Sequence, residues 1–127
     1  NIFPDFIIYV NPDYLIRDKK IFLNIIKQSL KYNFDSTILA LNDYSSNISI
    51  EKDQINTNGV SLMSREKKNP ILKSLFGFGT VVKPKMYNKG ILIENNNLGI
   101  VSTNNVAFSL RYSDKETINL LKKHKYL

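Results

Sequence analysis

The chain has 127 residues, 43% hydrophobic and 23% charged, with no cysteine and a single histidine, His124. That composition fits one globular domain, residues 1–127, and excludes disulfides, thiolate nucleophiles and zinc held by cysteines or a histidine cluster. The formal charge of +7 and pI near 9.6 favour anionic partners, although the abundance of Lys and Asn throughout looks partly like compositional drift and weakens that signal.

The sequence starts at Asn1 with no signal peptide and runs almost at once into an apolar strand, which suggests a segment cut from a longer, cytoplasmic polypeptide. No apolar run is long enough to span a bilayer, so a membrane is not expected as a partner. Phe6 to Val10 (FIIYV) is too short for a buried helix and reads as a strand covered on both faces, as parallel sheets require. From Asp18 to Tyr32, Ile21, Phe22, Ile25, Ile26, Ser29 and Leu30 share one face while lysines, Asn24 and Gln28 occupy the other, which predicts an amphipathic helix with Asp18 at its N-cap or first turn. Ser36 to Leu41 (STILAL) predicts a second strand, completing a right-handed βαβ unit.

Asn42 to Asn69 is polar and predicts a hairpin excursion, Ile48–Ile55 against Val60–Met63 across a tight Asn58–Gly59 turn. Leu75 to Pro84 (LFGFGTVVKP) predicts a core strand in which Gly77 and Gly79 permit a bulge or a close backbone approach. Lys85 to Gly90 reads as an irregular or helical turn, Leu98 to Thr103 as a strand, and Phe108 to Tyr112 as a shorter one. Ser113 followed by Glu116 is a capping-box pattern, with Asp114 in the first turn, and it predicts a short terminal helix. The fold class implied is α/β, a mostly parallel sheet with flanking helices and a protruding hairpin.

In such sheets ligands bind beyond the carboxyl ends of the strands, where Asn11, Pro12, Asp13 and Arg17 fall. Asn11 offers an amide donor and acceptor, and Arg17 a bidentate grip on carboxylate or phosphate. The same residues also suit a plain turn followed by a solvated arginine. Arg65, beside Glu66, Lys67 and Lys68, is either a second anion grip or part of a solvated charged face. Asp114 is either a hard oxygen ligand for magnesium or simply a helix-start acid. FGFGT lacks the spacing of a phosphate loop or dinucleotide fingerprint. Tyr9, Tyr14, Phe76, Phe78 and Tyr112 interleave with lysines, but most fall inside strands, so core burial is favoured over nucleic-acid stacking.

Taken in order, these segments resemble the later two-thirds of the acylneuraminate cytidylyltransferase family. Val10 to Asp18 (VNPDYLIRD) is similar to that family's strand end QPTSPLRD, with Asn11 in place of Gln. Phe34 to Leu41 (FDSTILAL) is similar to YDSVVSV. Arg65, Pro70 and FGFGTVV follow in the family's order, and RYSDKETINLL from Arg111 is similar to its DIDTEEDL helix start. Three departures stand out. The nucleotide loop of type LARGGSKG is absent, Tyr112 replaces the first acid of the DID metal pair, and Asp13 puts an acid where it would repel an anionic sugar or nucleotide. The resemblance implies a nucleotidyltransferase that activates an acidic, sialic acid-like sugar with CTP to give a CMP-sugar and pyrophosphate in nucleotide-sugar biosynthesis, with the segment alone inactive. It further implies Asn11 and Arg17 bordering the sugar and nucleotide, Arg65 on the sugar carboxylate, Asp114 on Mg2+, and a homodimer in which residues 42–69 reach the neighbouring subunit. The alternative is a non-catalytic binding or dimerisation module with a degenerate version of the same fold.

Overall fold

The computed structural model describes residues 4–45, 47–58, 69–90 and 97–125. Its elements in chain order are β1 (Ile7–Val10), α1 (Lys19–Tyr32), β2 (Ser36–Asp43), β3 (Asn47–Glu51), β4 (Gln54–Asn58), β5 (Ile71–Ser74), β6 (Phe78–Val82), α2 (Pro84–Asn88), β7 (Leu98–Thr103), a 3-10 turn at Val106–Ser109 and α3 (Lys115–Lys123).

Helix α1 begins where expected. The Asp18 carboxylate accepts from the amides of Lys20 (2.7 Å) and Ile21 (3.2 Å), satisfying two donors that the first turn leaves unpaired. The helix ends at Asn33, whose φ of 53° is the left-handed conformation asparagine tolerates. Ile25 and Ser29 are fully buried, but Leu30 is 61% exposed, so the buried stripe is narrower than the sequence periodicity indicates. The Ser29 hydroxyl donates to the Ile25 carbonyl (2.9 Å) and, with its one proton so used, accepts from the Thr37 hydroxyl (2.8 Å), so the polar pair between helix and sheet is satisfied.

The main sheet is mixed rather than mostly parallel. Strands run β1, β6, β2, β5, with β7 also paired to β2. Only β2 and β7 pair in parallel, while β6 is antiparallel to both β1 and β2 and β5 is antiparallel to β2. Strands β1 and β2 therefore point the same way across the α1 crossover, as the βαβ pattern predicts, but β6 is inserted between them. An apolar strand reads the same in either direction, which is why the inversion left no trace in periodicity. In consequence β1 lies at one side of the sheet, with Ile8, Tyr9 and Val10 partly exposed rather than covered on both faces.

Strands β5 and β6 lie on the same side of β2, β5 against residues 40–43 and β6 against residues 36–37. Gly77, just before β6, and Gly79, within it, adopt φ of 87° and 129°. Tyr9 pairs with Thr80 and Val10 with Phe78, so Gly79 is the extra residue of a bulge. Gly77 serves close approach: a Cβ there would lie 2.7 Å from Asn11 Cβ. Phe78 is fully buried with Tyr14, Ile25, Leu39, Leu75, Val81 and Phe108 in one core cluster.

Three local expectations change. The hairpin turns at Lys52–Asp53, both with positive φ, so Ile48–Ile55 is two strands rather than one, and β3–β4 forms a separate two-stranded sheet. Positive φ at both central positions is the type I′ geometry that Asp accepts and that Lys does not advertise. The expected Asn58–Gly59 turn and Val60–Met63 strand lie outside the described residues, apart from Asn58, which ends β4. Phe108–Tyr112 is a 3-10 turn followed by a single bridge, Arg111 to Tyr14, rather than a strand. Helix α3 is capped by Asp114, not Ser113. Among the described residues, no helix is long and apolar enough to cross a membrane.

Candidate functional site

The loop after β1 is built by its own polar groups. The Asn11 amide donates to the Gly77 carbonyl (2.7 Å), and the Asn11 side-chain oxygen accepts from the Asp13 amide (3.0 Å), closing an Asx turn. Arg17 donates from Nη2 to the Asn11 carbonyl. Its guanidinium carbon lies 5.8 Å from the Phe78 ring centre and 6.0 Å from that of Tyr14. Asn11 and Arg17 thus come together as the sequence predicts, yet both are engaged in shaping the loop.

The same loop docks on the segment leading into α3. Asp13 Oδ1 accepts from the Ser113 amide (2.8 Å) and Oδ2 from the Ser113 hydroxyl (2.6 Å). The Tyr112 amide donates to the Asp13 carbonyl (2.8 Å) and the Leu15 amide to that of Leu110 (3.0 Å). The acid expected to repel an anion is therefore a structural acceptor, and Ser113 serves it instead of capping α3. Buried Tyr14, 2% exposed, completes the joint. Its hydroxyl donates to the Phe76 carbonyl (3.0 Å) and accepts from Arg111 Nη2 (2.9 Å), while the Arg111 guanidinium stacks 4.7 Å over its ring.

Beside this joint opens a cleft of about 410 Å³ between β5 and residues 109–114. Its polar lining is Lys73, Arg111, Ser74, Ser109, Ser113 and Asp114, over an apolar floor of Leu75 and Leu110. Asp114 accepts from the Thr117 hydroxyl (2.7 Å) and amide (3.2 Å). Those bonds, the hydroxyl's first, hold its carboxyl below the usual carboxylate range. The nearby Asp43 carboxyl is held low chiefly by the Ser45 hydroxyl and amide, with a smaller contribution from the charge of Lys73.

No protein-family model matches the chain, and no curated protein matches its sequence. The likeness to the cytidylyltransferases thus stands on the ordered segments alone. Among the described residues, no group of three or more His, Cys, Asp or Glu side chains gathers to hold a metal ion. Arg65 lies outside the described residues. Lys73 and Arg111 were not singled out by sequence reasoning, because neither sits in a local pattern. Strand pairing and the Tyr14 bridge bring them to one cleft.

Proposed function

We propose that this chain is part of a cytidylyltransferase-like nucleotidyltransferase that joins an acidic sugar to CMP. The observation that carries the reading is the joint between the loop after β1 and the start of α3. The resemblance assigns the first segment to sugar and nucleotide and the second to metal. The Asp13–Ser113 and Tyr14–Arg111 contacts bring these segments to one end of the sheet, beside a cleft that carries two cations and one acid. That end is also where β1, β2 and β7 all finish, the position at which open α/β sheets bind ligands.

In this reading Asn11 and Arg17 form the lip toward sugar and nucleotide, and Arg65 meets the sugar carboxylate. Cationic side chains would stabilise charge as the anomeric hydroxyl attacks the α-phosphate and pyrophosphate departs. Magnesium belongs to the same reading. Asp114 is ionised, lines the cleft and keeps lone pairs beyond those given to Thr117, which suits a cation held by one carboxylate and phosphate oxygens. Bound there, the ion would offset negative charge on the reacting phosphates. The test is calorimetric titration of the intact protein with CTP and magnesium, in a cytoplasm-like buffer. Saturable binding, weakened about tenfold by Arg17→Ala or Arg65→Ala, is expected. Absence of CTP binding overturns the reading.

A second reading, a dimerisation module, is favoured by the β3–β4 ribbon. Ile50 pairs directly with Ile55, and they are 74% and 69% exposed; Ile48 extends the same face. A lone two-stranded ribbon is marginal in water, and covering this face with a second copy would stabilise it. Sedimentation of the wild type and of Ile50→Lys decides the matter: a dimer dissociated by the lysine is expected, and a wild-type monomer at all concentrations rejects it.

A further inference from the structure

We propose that Lys73 and Arg111 form an oxyanion grip in the cleft between β5 and residues 109–114, one that takes a carboxylate or phosphate group on a small hydroxylated ligand. The inference goes beyond the cytidylyltransferase reading, since no family motif assigns either residue and the grip stands whether or not CTP binds.

Both cations line the cleft, and each is available. Among the described residues Lys73 makes no hydrogen bond or ion pair, and its only resolved electrostatic partner is Asp43, beyond ion-pair distance. Arg111 spends one nitrogen on the Tyr14 hydroxyl and lays its plane on the Tyr14 ring. That fixes the guanidinium on a buried side chain, and among the described residues its other donors have no partner. A pre-oriented arginine loses little freedom on binding, and its fork matches the geometry of a carboxylate or phosphate. Lysine adds a second, adaptable charge.

The acid in the lining offsets only one of them. Two cations against the single Asp114 leave a positive excess of one, and Asp114 is turned to Thr117 at the start of α3, which donates to both its oxygens. The Ser74 hydroxyl supplies a further polar partner, while those of Ser109 and Ser113 already donate to the Val106 carbonyl and to Asp13 and can accept from a ligand hydroxyl. An apolar floor of leucines lowers the local dielectric, strengthening attraction for an anion. Arg17 lacks these features, because its head group is folded onto its own loop.

The test titrates the intact protein with inorganic phosphate and, separately, with glucuronate, following amide chemical shifts of residues 109–114. Saturable shifts with glucuronate identify a hydroxylated organic acid as the ligand class, and shifts with phosphate alone identify a phosphate. The Lys73 ammonium has no hydrogen bond or ion pair among the described residues and only a minor attraction to Asp43, so Lys73→Glu should leave the melting temperature nearly unchanged while weakening binding by about tenfold or more. Arg111→Lys, which keeps the charge but loses the fork, should weaken it by a smaller factor. Binding that survives Lys73→Glu unchanged overturns the grip, as does the absence of saturable shifts by either anion up to about 10 mM.

Discussion

The two ends of strand β2 handle charge in opposite ways. At its amino end Asp35 meets Lys85 at 2.9 Å and Lys83 at 3.3 Å. The Asn33 carbonyl there accepts from Lys83 Nζ (3.0 Å) and Asn97 Nδ2 (3.2 Å). Backbone bonds from Lys83 to Asp35 and from Asp35 to Asn97 tie β6, β2 and β7 together. Asp35, Lys83 and Lys85 are thus each tied to a structural partner. At the carboxyl end Lys73 and Arg111 face a cleft with charge to spare. Charges that hold the fold together neutralise one another at the amino end, whereas those at the carboxyl end leave a positive excess, which is what the proposed anion grip requires.

That contrast can be broken most severely from beneath the cleft. Phe78 packs against Tyr14 and Phe108 and lies under Arg17. Phe78→Ala should cost about 3–5 kcal/mol in denaturant unfolding and abolish anion binding, while the lysine–aspartate cluster keeps its amide-exchange protection in whatever remains folded. Gly77→Ala comes next. It forces a left-handed backbone on alanine and drives its Cβ into Asn11, at a cost of about 1–3 kcal/mol, with shift changes confined to the carboxyl-end loop. Asp13→Ala removes two hydrogen bonds to Ser113 and should cost about 1 kcal/mol, with faster amide exchange at residues 112–113.

The smallest effect sharpens the other end. The Lys85 ammonium beside Asp35, with help from Lys83 and Asn97 and against some desolvation, holds its carboxyl below the usual value. A folded value below the unfolded one means that the unfolded chain binds more protons. The resulting stability is fully present above about pH 4 and is lost as pH falls through the lower folded value. Asp35→Asn should flatten this acid limb in melting curves taken between about pH 7 and pH 2, leaving the cleft's anion affinity at neutral pH unchanged.

Local chemistry was the legible part of the sequence. Asp18 with its apolar stripe located α1, STILAL located most of β2, LGIVST matched β7 residue for residue, and the Gly77–Gly79 pair announced the bulge. What escaped were choices settled by distant partners. Nothing within FGTVV says that it runs against its neighbours. Ser113 looks like a cap until Asp13, far away in the chain, claims its hydroxyl. That Asn11 and Arg17 share a loop is legible in the sequence, whereas Lys73 and Arg111 come to one cleft only through the assembled sheet.

The bulge at Gly79 also acts as a phase shifter. In a regular strand Phe78 and Val81, an odd number of positions apart, would face opposite sides of the sheet. The extra residue at Gly79, which lies between them, brings both into the same core cluster. Deleting that single glycine would therefore do more than shorten a strand. It would swing Phe78 to the opposite face, and with it would go the aromatic platform on which Tyr14, Arg17 and, through Tyr14, Arg111 are set.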